Sequence, residues 1–167
     1  MMQAFEFVVR AVAIGAGATA VMDLWALTLQ RLWKVPPSNW GLVGRWMGHF
    51  PRGRFVHDNI AAAPAIRGEL AIGWLAHYAI GIGYAALLLA IWGLDWARQP
   101  TLLPPLIVSL VALVAPFFML QPGMGLGIAG SRTPNPTATR LRSFLNHTVF
   151  GLGLYLSALL CARATSL

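Results

Sequence analysis

GWLAHYAIGIGYAALLLAIWGL, residues 73–94, contains no Asp, Glu, Lys or Arg. A helix rises about 1.5 Å per residue, so a stretch of this length covers the roughly 30 Å of hydrocarbon in a bilayer. Three more stretches follow the same pattern: 11–29, 101–120 and 144–162, with Asp23 the one acidic residue and no Lys or Arg in any of them. The whole chain is 57% hydrophobic and 10% charged, where a soluble domain carries about a quarter charged residues. These runs predict an all-α membrane protein, four transmembrane helices in a bundle, with residues 1–167 forming a single integral membrane domain.

The first run imitates a secretory signal, because Ala18-Thr19-Ala20 resembles a small-x-small cleavage site. Against that reading, Glu6 offsets Arg10 in what would be the positive leader, and hydrophobicity resumes from Leu24 to Leu29. We expect the segment to be a span. The lone Cys161 excludes an intrachain disulfide and a cysteine zinc cage.

Between the first and second spans lie Arg31, Lys34, Arg45, Arg52, Arg54 and Arg67, and between the third and fourth lie Arg132, Arg140 and Arg142. The other side holds only Arg10, Arg98 and Arg163, three basic residues against nine. The positive-inside rule then sets both long loops in the cytoplasm and both termini outside. The net charge of +7 is thereby read as topology and contact with anionic headgroups, with the lipid bilayer as partner. No nucleic-acid partner is expected, since no recognised module accompanies the charge.

In the first cytoplasmic loop, Pro36-Pro37-Ser38 stops the preceding helix. Trp40, Leu42, Val43, Trp46, Met47 and Phe50 then fall mainly on one helical side and Arg45 and His49 on another. That spacing predicts a short interfacial helix. Residues 93–100 are a short connection, so the second and third spans form a tight hairpin. Pro104, Pro105 and Pro116 would kink the third span or free a carbonyl. Residues 121–136 carry four glycines, Gly123, Gly125, Gly127 and Gly130, and read as a tight turn or as backbone that approaches something closely. His77-x-x-x-Gly81-x-Gly83 recurs as His147-x-x-x-Gly151-x-Gly153. Both copies run in the same direction, which would make two parallel helical-hairpin repeats.

Asp23, His77 and His147 are ionisable residues within the spans, roughly 9, 6 and 5 Å inside the cytoplasmic boundary at the helical rise. A carboxylate in hydrocarbon needs a partner or a proton. Two imidazoles and a carboxylate suit a divalent transition metal with an open position, or a proton relay. The plainer reading makes the three residues interhelical glue. The first loop adds His49, His57 and Asp58 as catalytic candidates, with Arg52 and Arg54 near enough in sequence to grip a phosphate. Against this, an adjacent His and Asp in a loop is ordinarily a turn residue beside a solvated imidazole. Nucleophile elbows, Walker loops and His-Glu-x-x-His are absent from the sequence.

Gly44-Arg45-Trp46, Gly48-His49, Pro51-Arg52-Gly53, Gly73-Trp74 with His77-Tyr78, Ala115-Pro116-Phe117, Gln121-Pro122-Gly123, Ser131-Arg132-Thr133-Pro134 and Phe150-Gly151-Leu152-Gly153-Leu154-Tyr155 together resemble bacterial multi-pass membrane proteins of the domain of unknown function 2938. The resemblance spans almost the whole chain. It implies a bacterial inner-membrane address and assigns no catalytic residue. Three functional classes follow. The first is a small inner-membrane protein that is transport-related or accessory to a membrane partner, working with a second copy or another membrane protein. The second is an intramembrane metal-dependent hydrolase or lipid- or phosphate-modifying enzyme. The third is a structural interaction subunit.

Overall fold

The computed structural model describes residues 2–164, and every regular element among them is helical. We number the main helices α1 (Met2–Trp33), α2 (Trp40–Gly48), α3 (Glu69–Arg98), α4 (Leu103–Val111) and α5 (Pro136–Ala164). Four segments are long and apolar enough to cross a membrane: Met2–Trp33, Glu69–Arg98, Leu103–Gly123 and Pro136–Ala164. Each outlasts the apolar run that marks it, because polar turns cap the ends. α5 begins at Pro136 rather than near Phe144: proline suits the first helical position, and Asn135 Oδ1 accepts the Ala138 amide at 3.0 Å. α3 is broken at Gly93, whose φ of 77° no helix accommodates. In the third span α4 stops at Val111, and a π-helical segment, Pro116–Leu120, follows. Pro116 has no N–H to donate to the preceding turn, which explains why the regular ladder fails there.

The chain divides into two compact units. The first comprises residues 1–37, 78–111 and 146–167. Within its described part, α1, the larger portion of α3, α4 and the end of α5 form a four-helix bundle around Ala11, Ile14, Ala18, Ala85, Leu88, Leu89, Val108, Phe150, Leu154 and Ala158. Small residues set the helix spacing. A Cβ on Gly15 would meet the α3 backbone at Gly81 and Ile82, and one on Gly151 would meet Ser109 of α4. Lipid tails give no hydrophobic drive for helix association, so close backbone approach and dispersion must supply it. At one end of this bundle Glu6 accepts from Arg10 at 2.9 Å and from Arg98 at 2.8 Å, while Arg10 also reaches the Ala97 carbonyl at 3.2 Å. This network ties the start of α1 to the end of α3. The outward faces carry Val8, Val12, Leu24, Leu87, Ile91, Ile107, Leu156 and Leu160, all exposed. Apolar surface on this scale belongs against lipid rather than water.

The second unit comprises residues 38–77 and 112–145. Its core is Val43, Ile60 and Met124, with Trp40, Leu42, Trp46, Met47, Ala63 and Leu120 packed around it. Both long loops belong to this unit, and they fold together.

Candidate functional site

The site is built on α2. Asn39 caps its start by accepting from the Leu42 amide at 3.2 Å. Gly44 lies against the backbone of Glu69 and Gly73, and Gly73 against the Trp40 carbonyl, so α2 packs on the first turns of α3 with no space for a side chain at either glycine. Arg45 grips Glu69 through two bonds, Nε to Oε2 at 2.8 Å and Nη2 to Oε1 at 2.7 Å. Its remaining nitrogen, Nη1, donates to the Ala61 and Ala63 carbonyls at 3.1 and 3.2 Å. This is the forked geometry that guanidinium supplies and ammonium does not. Glu69 stands ahead of the apolar stretch of α3 and also accepts the Ile66 amide at 3.0 Å.

Next to Arg45 in the chain, the Trp46 indole donates to the Phe55 carbonyl at 2.7 Å and covers Gly123. His49 follows at the end of α2. Helical spacing put it on the polar side with Arg45, but the structure buries it to 2% exposure. The reason is that the chain returns over it: His49 Nε2–H donates to the Pro64 carbonyl at 3.0 Å, and the His57 ring sits against it edge-on, with ring centres 5.0 Å apart. His57 is also buried, at 5% exposure, so it is no solvated turn imidazole.

The Gly-rich run holds His57 in place. The His57 amide donates to the Gly123 carbonyl at 2.9 Å, and the Ile60 amide donates to the Met124 carbonyl at 3.1 Å. Gly125 adopts a φ of 90° and lies against the Asp58 backbone, so a side chain there would meet both strain and backbone atoms. The run thus makes a close backbone approach to residues 57–60. Asp58 itself is exposed, and neither ring nitrogen of His57 has a hydrogen-bond partner. The adjacent His-Asp pair therefore does not form an oriented dyad. Arg52 and Arg54 are exposed.

Four buried polar atoms in this unit lack partners: His49 Nδ1, both ring nitrogens of His57, and Gln121 Oε1. Nothing in the spacing of His49, His57 and Gln121 signalled their common burial, because the loops that cover them are distant in sequence. Among the described residues, no group of three or more His, Cys, Asp and Glu is arranged to hold a metal ion. Asp23, in the first unit, accepts from the Tyr78 hydroxyl at 2.9 Å, a partner that sequence reasoning missed. The signal available in the sequence is Tyr78 itself, a hydroxyl three residues before Gly81, which packs on Gly15 and Thr19 of α1. His77, in the second unit, stacks on Trp40 with ring centres 3.8 Å apart. His147 is half-buried on α5.

Four membrane-length helices with exposed apolar flanks define a multi-pass, all-helical membrane protein. The chain belongs to the family described as Protein of unknown function (DUF2938), whose model matches residues 12–161. No curated protein and no solved structure matches it.

Proposed function

We propose that the chain is a bacterial inner-membrane protein with both termini outside. In this reading the two long loops face the cytoplasm, where they form the working part of a transport-related or accessory protein that acts with a second copy or another membrane protein. The observation that carries this reading is the joint folding of the two loops into one unit. That unit holds seven Lys and Arg against Asp58 and Glu69, and beside its apolar core it buries a pair of histidines, His49 and His57. A basic surface suits the anionic inner leaflet. Burying imidazole nitrogens without partners costs stability, so such a pair supports a ligand-handling role over passive packing. The enzymatic alternative is less well supported, because His57 and Asp58 point to different surroundings.

The test is topological. Cys161→Ser removes the only thiol, after which Arg54→Cys and Gln99→Cys report the two sides separately. In intact cells a membrane-impermeant maleimide should label Gln99→Cys and leave Arg54→Cys unlabelled until the membrane is permeabilised. The opposite pattern would overturn the orientation, and with it the assignment of the loop unit to the cytoplasm.

A further inference from the structure

An imidazole that is neutral has one N–H to donate and one lone pair to fill, and a buried group left without a partner is destabilising. His49 and His57 together leave three ring nitrogens without a partner at 2% and 5% exposure. Each ring is held by other means. His49 is fixed through Pro64, and the backbone of His57 is fixed through Gly123. Apolar side chains would fill the same space without that cost, so the nitrogens call for an occupant.

We infer that His49 and His57 form a two-nitrogen site for a borderline transition-metal cation of the zinc class. One observation, a compatible spacing and a chemical preference lead to this choice. First, a carbonyl can only accept, so the bond from His49 Nε2 to Pro64 fixes the proton on Nε2 and leaves Nδ1 as a lone pair. That is the arrangement of metal-ligating histidines, in which the second ring nitrogen is anchored to a carbonyl or carboxylate. Second, with metal–nitrogen bonds of about 2.0–2.1 Å and a ring centre about 1.1 Å behind its nitrogen, two imidazoles on one tetrahedral ion have centres about 5.2 Å apart. The observed separation is 5.0 Å, which permits a shared ion and is also an ordinary spacing for two rings in edge-to-face contact. Third, neutral imidazole suits zinc, copper, nickel and iron in preference to magnesium or calcium.

The site is not a structural cage, since among the described residues no third His, Cys, Asp or Glu completes a group with these two. Two protein ligands leave coordination positions for water, for a small ligand or for a donor from a partner, which is how an exchanging site differs from a closed structural one. This inference does not depend on which way the chain crosses the membrane.

The experiment uses the full chain in detergent, stripped with a chelator and dialysed against Zn²⁺, with bound metal counted by mass spectrometry and Tm recorded. One equivalent should bind and raise Tm. His49→Gln and His57→Gln should each lose it, while the His77→Ala/His147→Ala double variant should keep it. No bound zinc, zinc retained by both Gln variants, or zinc lost only from the double variant would each overturn the assignment. His57→Leu supplies a second reading. It removes two unpartnered atoms, so it should melt above the metal-free wild type and below the zinc-loaded one; melting below both would mean that the fold already satisfies the ring. X-ray absorption on the unaltered zinc-loaded chain should show two imidazoles at about 2.0 Å, and fewer than two would refute the proposal even if a variant failed to fold.

Discussion

Replacing Gly125 by Ala should unlatch the two loops from one another. The new Cβ would lie 2.5 Å from the Asp58 carbonyl carbon and 2.8 Å from the His57 carbonyl oxygen. These are backbone atoms pinned by the bonds from His57 and Ile60, and they cannot swing aside as a side-chain tip would. Forced overpacking of this kind costs about 1–3 kcal/mol. The φ of 90° adds about 1–3 kcal/mol for a residue with a side chain, giving about 2–6 kcal/mol in total. The chain can avoid much of that by releasing residues 57–60 from residues 123–125, so local opening should precede global unfolding. Hydrogen exchange with mass spectrometry reads this directly. The amides of His57 and Ile60 should lose protection by about 30-fold or more, the factor corresponding to 2 kcal/mol. Gly53→Ala is the control: its φ is 68° but nothing lies within 4 Å, so it carries the backbone cost alone and leaves those amides protected. If Gly125→Ala exchanged like wild type at His57 and Ile60, the latch argument would be wrong.

Two further outcomes follow from the polar contacts. Glu69 accepts two bonds from Arg45, at 2.8 and 2.7 Å, and one from the Ile66 amide at 3.0 Å. Glu69→Gln removes the charge that the guanidinium fork matches, so it should loosen α2 from the start of α3 and lower Tm. Thermal melts of wild type and Glu69→Gln check this; equal Tm values would show that the fork does not hold the two helices together. In the first unit, Tyr78→Phe and Asp23→Asn should each destabilise α1 against α3. A double-mutant cycle should give a coupling of about 0.6–1.7 kcal/mol, the range for interhelical bonds in membranes, and a coupling near zero would show that the hydroxyl does not hold the carboxylate.

The existence of four spans needed nothing beyond the sequence. Runs such as 73–94, free of charge over a membrane's thickness, have few other stable environments, and hydropathy is a local property. The same holds for the break at Pro116, which acts through its own backbone chemistry, and for the short helix after Pro36-Pro37-Ser38, legible from the spacing of its apolar residues; the cap at Asn39 and the kink at Gly93, inside a helix that runs on to Arg98, came only with the structure. What lay beyond the sequence was decided by contacts between distant segments. Arg45 and Glu69 are 24 residues apart, and Gly123 and His57 come from loops separated by two spans. His49 looks polar by its helical position, and His57 looks solvated beside Asp58, until residues 121–125 and the Pro64 carbonyl close over them. Burial is a property of the assembled chain, so only the tertiary structure could turn two unremarkable loop histidines into the centre of a site.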